Sequence, residues 1–282
     1  MLRKAQHDWR VDARVVAGVV LALTLFANAA SAQRHHRHQR PDGTPLYGPW
    51  YQETDFDRVI VEPWNTASAA LFILLPVVWL WRLRGQYRRH RFIVWCLPIL
   101  AVGGVGGTIY HAFRGRAIWL LLDFMPIVIL ALAASVYAWS KLLRRWWLGL
   151  LSVPAVVLVR LFLFAWLRAS GLPFSTGINA GYSFLALVLL LPFALLMWKR
   201  RFRDAWVLGA AVAAFAAAVT CRALDNGANG LNHVLPMGSH FLWHLFGVVA
   251  AFFAIEYLYR LDRTTGNGID VGNHEDTPTT GG

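Results

Sequence analysis

The feature that most constrains this chain is a succession of apolar blocks, each about 20 residues long and so able to cross roughly 30 Å of hydrocarbon. Seven follow a leading segment, at approximately 62–82, 92–112, 117–139, 146–167, 177–198, 205–224 and 238–259. Inside a bilayer each spanning segment has to satisfy its own backbone polar groups, and helices do so. The expected fold class is therefore all-α: a polytopic membrane protein, built as a seven-transmembrane-helix bundle. Composition agrees. Of 282 residues, 57% are apolar and 15% charged, whereas a soluble domain of this length needs far more polar surface.

A net charge of +12 raises nucleic acid as a partner, but its placement argues against one. The basic residues cluster between apolar blocks: Arg82, Arg84, Arg88, Arg89 and Arg91, then Lys141, Arg144 and Arg145, then Lys199, Arg200, Arg201 and Arg203. These are the cytoplasmic connections that the positive-inside bias leads one to expect. Residues 1–32 read as a secretory signal, with a basic start, an apolar run from Val15 to Phe26, and Ala30-Ser31-Ala32 before Gln33. An uncleaved anchor helix is the alternative, and both put residue 33 outside the cytoplasm. The first span of the bundle then runs inward, and every later basic loop falls inside. Two independent signals give one topology.

Between them these readings divide the chain into four parts. Residues 1–32 are the signal or anchor, and 33–61 an exposed extracytoplasmic polar segment. The membrane domain is 62–259, and 260–282 a cytoplasmic disordered tail rich in Gly and Thr. His35, His36 and His38 in the polar segment read as a solvated basic linker or a metal-touching patch. Cys96 and Cys221 both lie in apolar blocks, so they say nothing of redox compartment. No segment outside the helices is large enough to carry function.

Ionisable residues at membrane depth are costly, and each is a functional hypothesis. The expected topology brings several to one outer layer: His111 at the end of helix two, Asp123 early in helix three, His240 and His244 early in helix seven. His240 and His244 are spaced i, i+4 and share a helix face, as a pair gripping one ion must. With His111 they would make three protein ligands and leave a position for water, the catalytic pattern for zinc. Bound zinc lowers the pKa of its water towards about 7, and Asp123 is placed to take the proton or orient the water. Two other readings stay open on spacing alone. Histidines within a bundle also bridge helices by hydrogen bonds, and a histidine pair can ligate haem. Retinal is excluded, because helix seven contains no lysine for a Schiff base. Arg160, and Arg222 with Asp225, read as structural ion pairs or as a site for a lipid head group, the ion pair being the favoured role; Asn65 and Trp243 read as packing or bridging groups.

Four stretches resemble the alkaline ceramidases, within the seven-helix membrane proteins that also include the adiponectin and progestin receptors and the Per1 lipid-remodelling proteins. They are Glu62-Pro63-Trp64-Asn65-Thr66, Gly106-Gly107-Thr108-Ile109-Tyr110-His111, Leu121-Leu122-Asp123-Phe124-Met125-Pro126, and Gly238-Ser239-His240-Phe241-Leu242-Trp243-His244. They stand in the family's order over roughly residues 48–259. The resemblance implies that His111, His240 and His244 ligate zinc and that Asp123 acts on the water. It also implies hydrolysis of the amide of ceramide, giving a sphingoid base and a fatty acid, with the lipid entering sideways from the bilayer near the non-cytoplasmic face.

The chain departs from the family in two places. The family's serine four residues before the first histidine is Gly107 here. Thr108 is one residue on, and so turned by about 100° around the helix; Thr108 or Tyr110 is the hydroxyl expected to stand in. Eukaryotic members also hold Ca²⁺ with acidic residues ahead of helix one. Here Glu53, Asp55, Asp57 and Glu62 are acidic at a different spacing, and they read as a calcium site or as a solvated acidic rim. Beside the ceramide amidohydrolase stand two other functions: a lipid ester hydrolase or remodeller, and a receptor-like protein with structural zinc.

Overall fold

The computed structural model describes residues 47–151, eight positions between 154 and 170, and residues 190–225 and 234–267. Seven helices are defined there: α1 (Pro63–Arg82), α2 (Arg91–Phe113), α3 (Ala117–Leu143), α4 (Trp146–Leu150), α5 (Leu190–Lys199), α6 (Ala205–Ala223) and α7 (His240–Asn267). No strand occurs among the described residues. Five of the helices, α1, α2, α3, α6 and α7, are long and apolar enough to span a membrane. The expected spans at 146–167 and 177–198 lie largely outside the described residues, as do the signal segment, the His35–His38 patch, Arg160 and the end of the tail.

The packing order follows from small residues in the middle of α2. This helix lies between α1 and α3, while α7 packs on α1 and α6. A Cβ at Gly104 would come within 2.8 Å of the α1 backbone at Phe72 and Ile73, and one at Gly106 within 2.7 Å of the α3 backbone at Leu122. Only glycine lets helices approach that closely, which is how apolar helices associate where lipid is as apolar as leucine. Pro76, Pro98 and Pro126 lie inside α1, α2 and α3, a placement that membrane helices tolerate better than soluble ones. Leu74, Val77, Trp81, Trp95 and Val102 point outward and are exposed. In water they would form a large apolar patch; facing lipid they need no cover.

The apolar core gathers around Trp79, Leu83, Phe92, Leu97, Val136 and Tyr257, which is the end of the bundle away from His111. Buried charge is satisfied there by pairing. His90 Nδ1 lies 3.2 Å from Asp262, which also accepts the Tyr137 hydroxyl, and Arg82 meets Glu256 at 2.7 Å. These contacts explain why α7 outruns its expected end at 259. Asp262 is tied into the bundle, and Arg260 pairs with Glu256 one turn back and with Asp204. The helix continues to Asn267, past the expected boundary at 260, and the rest of the expected tail lies outside the described residues.

The polar segment before α1 also differs from expectation. Residues 47–62 form no regular element, yet Tyr51, Glu53 and Glu62 are buried. Pro63 opens α1 in the position where its missing N–H costs nothing. The Glu53 carboxylate accepts hydrogen bonds from Trp64 N at 2.5 Å and Asn65 N at 2.9 Å. An acid at a helix N-terminus satisfies orphan donors and complements the helix dipole. Part of what reads in sequence as an exposed linker is thus folded against the bundle.

Candidate metal centre

His111 closes the last turn of α2, His240 opens α7, and His244 follows one turn later. All three are buried. Their ring centroids lie 5.3 Å (His111–His240), 4.8 Å (His111–His244) and 4.9 Å (His240–His244) apart. One nitrogen from each falls within 4.8 Å of the others. Among the described residues no other group of three His, Cys, Asp or Glu side chains is able to hold one ion. The sequence expectation brought these three together across two helices, and the fold does so.

The partners of each ring decide which nitrogen points inward. His111 Nδ1 sits 2.5 Å from Glu62 Oε2. Burial alone would raise the Glu62 carboxyl. The His111 hydrogen bond, the Arg114 charge and the Thr54 hydroxyl outweigh it and hold the group below the usual carboxylate range. An ionised carboxylate only accepts, so His111 donates from Nδ1, which leaves Nε2 as the nitrogen that would face a metal. That Nε2 is buried with no hydrogen-bond partner among the described residues. His244 Nδ1 lies 3.2 Å from the Asn65 carbonyl, which also only accepts, and 3.1 Å from Ser68 Oγ. It too donates from Nδ1 and offers Nε2. His240 Nδ1 is likewise buried and unpartnered among the described residues. Buried polar atoms are rarely left unmatched. Neutral imidazoles oriented through the far nitrogen by a carboxylate or carbonyl are the donor set that divalent transition metals take. The residues fit a metal.

Other side chains fix this arrangement from outside. Asp225, at the end of α6, accepts from Ser239 N (2.7 Å), His240 N (2.9 Å) and Gln52 N (3.2 Å). It caps the start of α7 and so sets the residue that carries the first ligand. Gly238 precedes it in the left-handed region at φ 78°, and a Cβ there would collide with Asp225. Arg114 ends α2, itself left-handed at φ 51°. Its buried guanidinium donates to the Tyr110 hydroxyl at 2.6 Å and to the Pro49 carbonyl, with Nε 3.4 Å from Glu62. Tyr51 stacks on His240, centroids 3.8 Å apart at 22°, and burial pushes its phenol up, so it stays protonated.

The remaining expected residues fall as follows. Asp123 lies in the second turn of α3 with Oδ1 against Gly107, where a Cβ would meet that oxygen. It is within electrostatic reach of His111. The Thr108 hydroxyl donates to Gly104 O at 2.7 Å, back into its own helix, and that of Tyr110 to Tyr47 O at 2.9 Å. Both hydroxyls are thus committed to carbonyls of the protein itself. Three of the four acids considered for calcium have other partners, and the fourth is exposed. Glu53 caps α1, Asp55 pairs with Arg58 at 2.9 Å and accepts from Asp57 N, Asp57 is exposed, and Glu62 serves His111. The Arg114 guanidinium beside Glu62 disfavours a further cation there. Asp225 caps α7, and Arg222 lies over the Trp243 ring at 5.2 Å.

Sequence reading missed Tyr51, Arg114 and the orienting roles of Glu62 and Asp225. A carboxylate behind a ligating histidine is a general requirement, and Glu62 just ahead of Pro63 was the available signal. Nothing local marks Tyr51. Comparison with family models, curated proteins and solved structures finds no match for this chain.

Proposed function

We propose that this chain is a zinc-dependent membrane amidohydrolase that cleaves the amide of ceramide or a related lipid, releasing a fatty acid. One observation carries the reading: three buried histidines converge, two with an inward nitrogen left unmatched, beside a carboxylate on the neighbouring helix. His111, His240 and His244 would hold the ion, through Nε2 in His111 and His244. When bound, zinc supplies a Lewis acid for the carbonyl oxygen and lowers the pKa of water at neutral pH. Asp123 accepts a proton at its carboxylate from the attacking water and returns it to the leaving amine nitrogen. Glu62 keeps His111 in the donating orientation, and Asp225 and Tyr51 keep His240 in place. The 47–62 segment covers the cluster and limits bulk water. The apolar outer faces of the helices suit a substrate that arrives from the bilayer.

This reading includes the two further spans at 146–167 and 177–198. It also puts the centre near the non-cytoplasmic face, on the strength of the basic connections at the opposite end. A second reading, structural zinc in a receptor-like protein, draws support from the burial of all three histidines, since structural sites are closed. Purified protein assayed on a ceramide panel separates the two. Fatty acid release, about one zinc per chain, and loss of turnover in Asp123→Ala are expected. Zinc without turnover of any lipid amide would leave the structural reading.

A further inference from the structure

The chemistry just proposed needs a hydrogen-bond donor for the carbonyl oxygen, and the obvious hydroxyls around the histidines are already committed. Position 107 has no side chain, and Thr108 donates to Gly104 O. Ser68 donates to Asn65 O, Ser239 to Cys221 O, Thr54 to Glu62, Thr66 to Glu62 O and Tyr110 to Tyr47 O. Tyr51 differs. Its ring lies on His240 and 5.5 Å from that of His111, and its hydroxyl donates to nothing among the described residues.

The position of Tyr51 is fixed from both sides. Two residues before it, the Pro49 carbonyl accepts from the buried Arg114. One residue after it, Gln52 N donates to the buried Asp225. Within its own turn, Tyr51 N donates to Thr54 Oγ1 at 3.1 Å and Thr54 N returns a bond to Tyr51 O at 3.1 Å. Arg114 also lies 5.2 Å from its ring. Two buried charged residues, Arg114 at the end of α2 and Asp225 at the end of α6, therefore hold one aromatic residue over the cluster. A side chain needed only to fill space requires no such anchoring; a catalytic group requires its supporting contacts.

We propose that Tyr51 is a catalytic residue, whose hydroxyl donates a hydrogen bond to the carbonyl oxygen of the substrate as negative charge develops there. As the attacking water adds to the carbonyl carbon and gives its proton to Asp123, the C=O electron pair moves onto the carbonyl oxygen, where Tyr51 stabilises it without giving up its own proton. The pair returns as the C–N bond breaks and the amine leaves with the proton from Asp123. The proposal rests on the hydrolase reading, and its test separates the two.

The full chain, in lipid nanodiscs and loaded with zinc or cobalt, is compared with Tyr51→Phe, which keeps the ring stacked on His240 and removes only the hydroxyl. Metal content, the cobalt absorption spectrum, kcat and KM on a long-chain amide, and affinity for a long-chain alkyl hydroxamate are measured. Tyr51→Phe is expected to keep the ion and the cobalt spectrum while kcat falls about 10²–10³-fold at similar KM. Hydroxamate affinity should fall about tenfold, the worth of one hydrogen bond to a charged group. A variant within twofold of the original in both turnover and hydroxamate affinity overturns the proposal. So does loss of the ion or an altered cobalt spectrum, which would make Tyr51 a positioning residue. If the unaltered chain cleaves no amide yet its hydroxamate affinity depends on the hydroxyl, the donor assignment stands and the hydrolase reading falls.

Discussion

Glu62 and His111 form a fully buried carboxylate–imidazole pair, with Oε2 2.5 Å from Nδ1. The pair joins the residue ahead of α1 to the last turn of α2 and points His111 Nε2 at the other two histidines. Arg114 neutralises the same carboxylate from its other side. Glu62 is thus central to the site without facing the ion.

Replacing it tests that position. Glu62→Gln keeps the volume but removes the charge that holds the His111 tautomer. Zinc affinity, measured by competition with a chromophoric chelator, is expected to fall about 10–100-fold, the usual effect of losing such a partner. The loss also strips Arg114 of its counter-charge, so the thermal midpoint should drop. Unchanged zinc affinity would show that the carboxylate does not tune this histidine.

Removing the ion should cost stability directly. Without it, His111 Nε2 and His240 Nδ1 remain buried and unmatched, at about 1–3 kcal/mol each. Ligands that bind only the folded state raise its stability by mass action. A strong chelator is therefore expected to lower the melting temperature of the unaltered chain and to leave that of a His240→Ala, His244→Ala double variant where it was. Equal midpoints with and without chelator would mean that no ion is resident.

Gly107 offers a steric test of Asp123. Because a Cβ at 107 meets Asp123 Oδ1, Gly107→Ser has to push the carboxylate aside. The substitution should then lower turnover, by about tenfold or more where positioning matters, while zinc content stays the same. A rise in turnover instead would mean that the carboxylate has room to move and that the serine is useful where it lands.

The sequence made the five long helices legible because lipid imposes one rule over each whole segment, and the observed ends fall within a few residues of expectation for α1, α2 and α6. It failed at the end of α7, where charged residues look like a stop signal until Asp262 and Arg260 are seen paired with other helices. The three histidines were legible because two share an i, i+4 face and topology alone puts the third at the same level. The orienting shell was not. Glu62, Tyr51, Arg114 and Asp225 act through contacts between segments far apart in sequence, such as Gln52 with Asp225. No periodicity or spacing encodes a partner of that kind.

Asp225 gives the strongest contrast between holding the site and holding the fold. Its carboxylate accepts three backbone N–H groups, at Gln52, Ser239 and His240, so it fixes the first residue of α7 and the turn that carries Tyr51. Asp225→Asn substitutes an NH₂ donor for one oxygen, and at least one of those N–H groups loses its acceptor. The cost is about 1–3 kcal/mol for a buried donor. Asp262 is the matching acid at the other end of α7, bonded to His90 and Tyr137, and Asp262→Asn should lower the melting temperature comparably. The two variants are expected to part company in metal affinity. Asp225→Asn should weaken zinc about tenfold, as a lost outer-shell contact does, and should shift the cobalt spectrum. Asp262→Asn should change neither. If both lowered zinc affinity equally, the effect would be one of general stability, and Asp225 would have no special hold on His240.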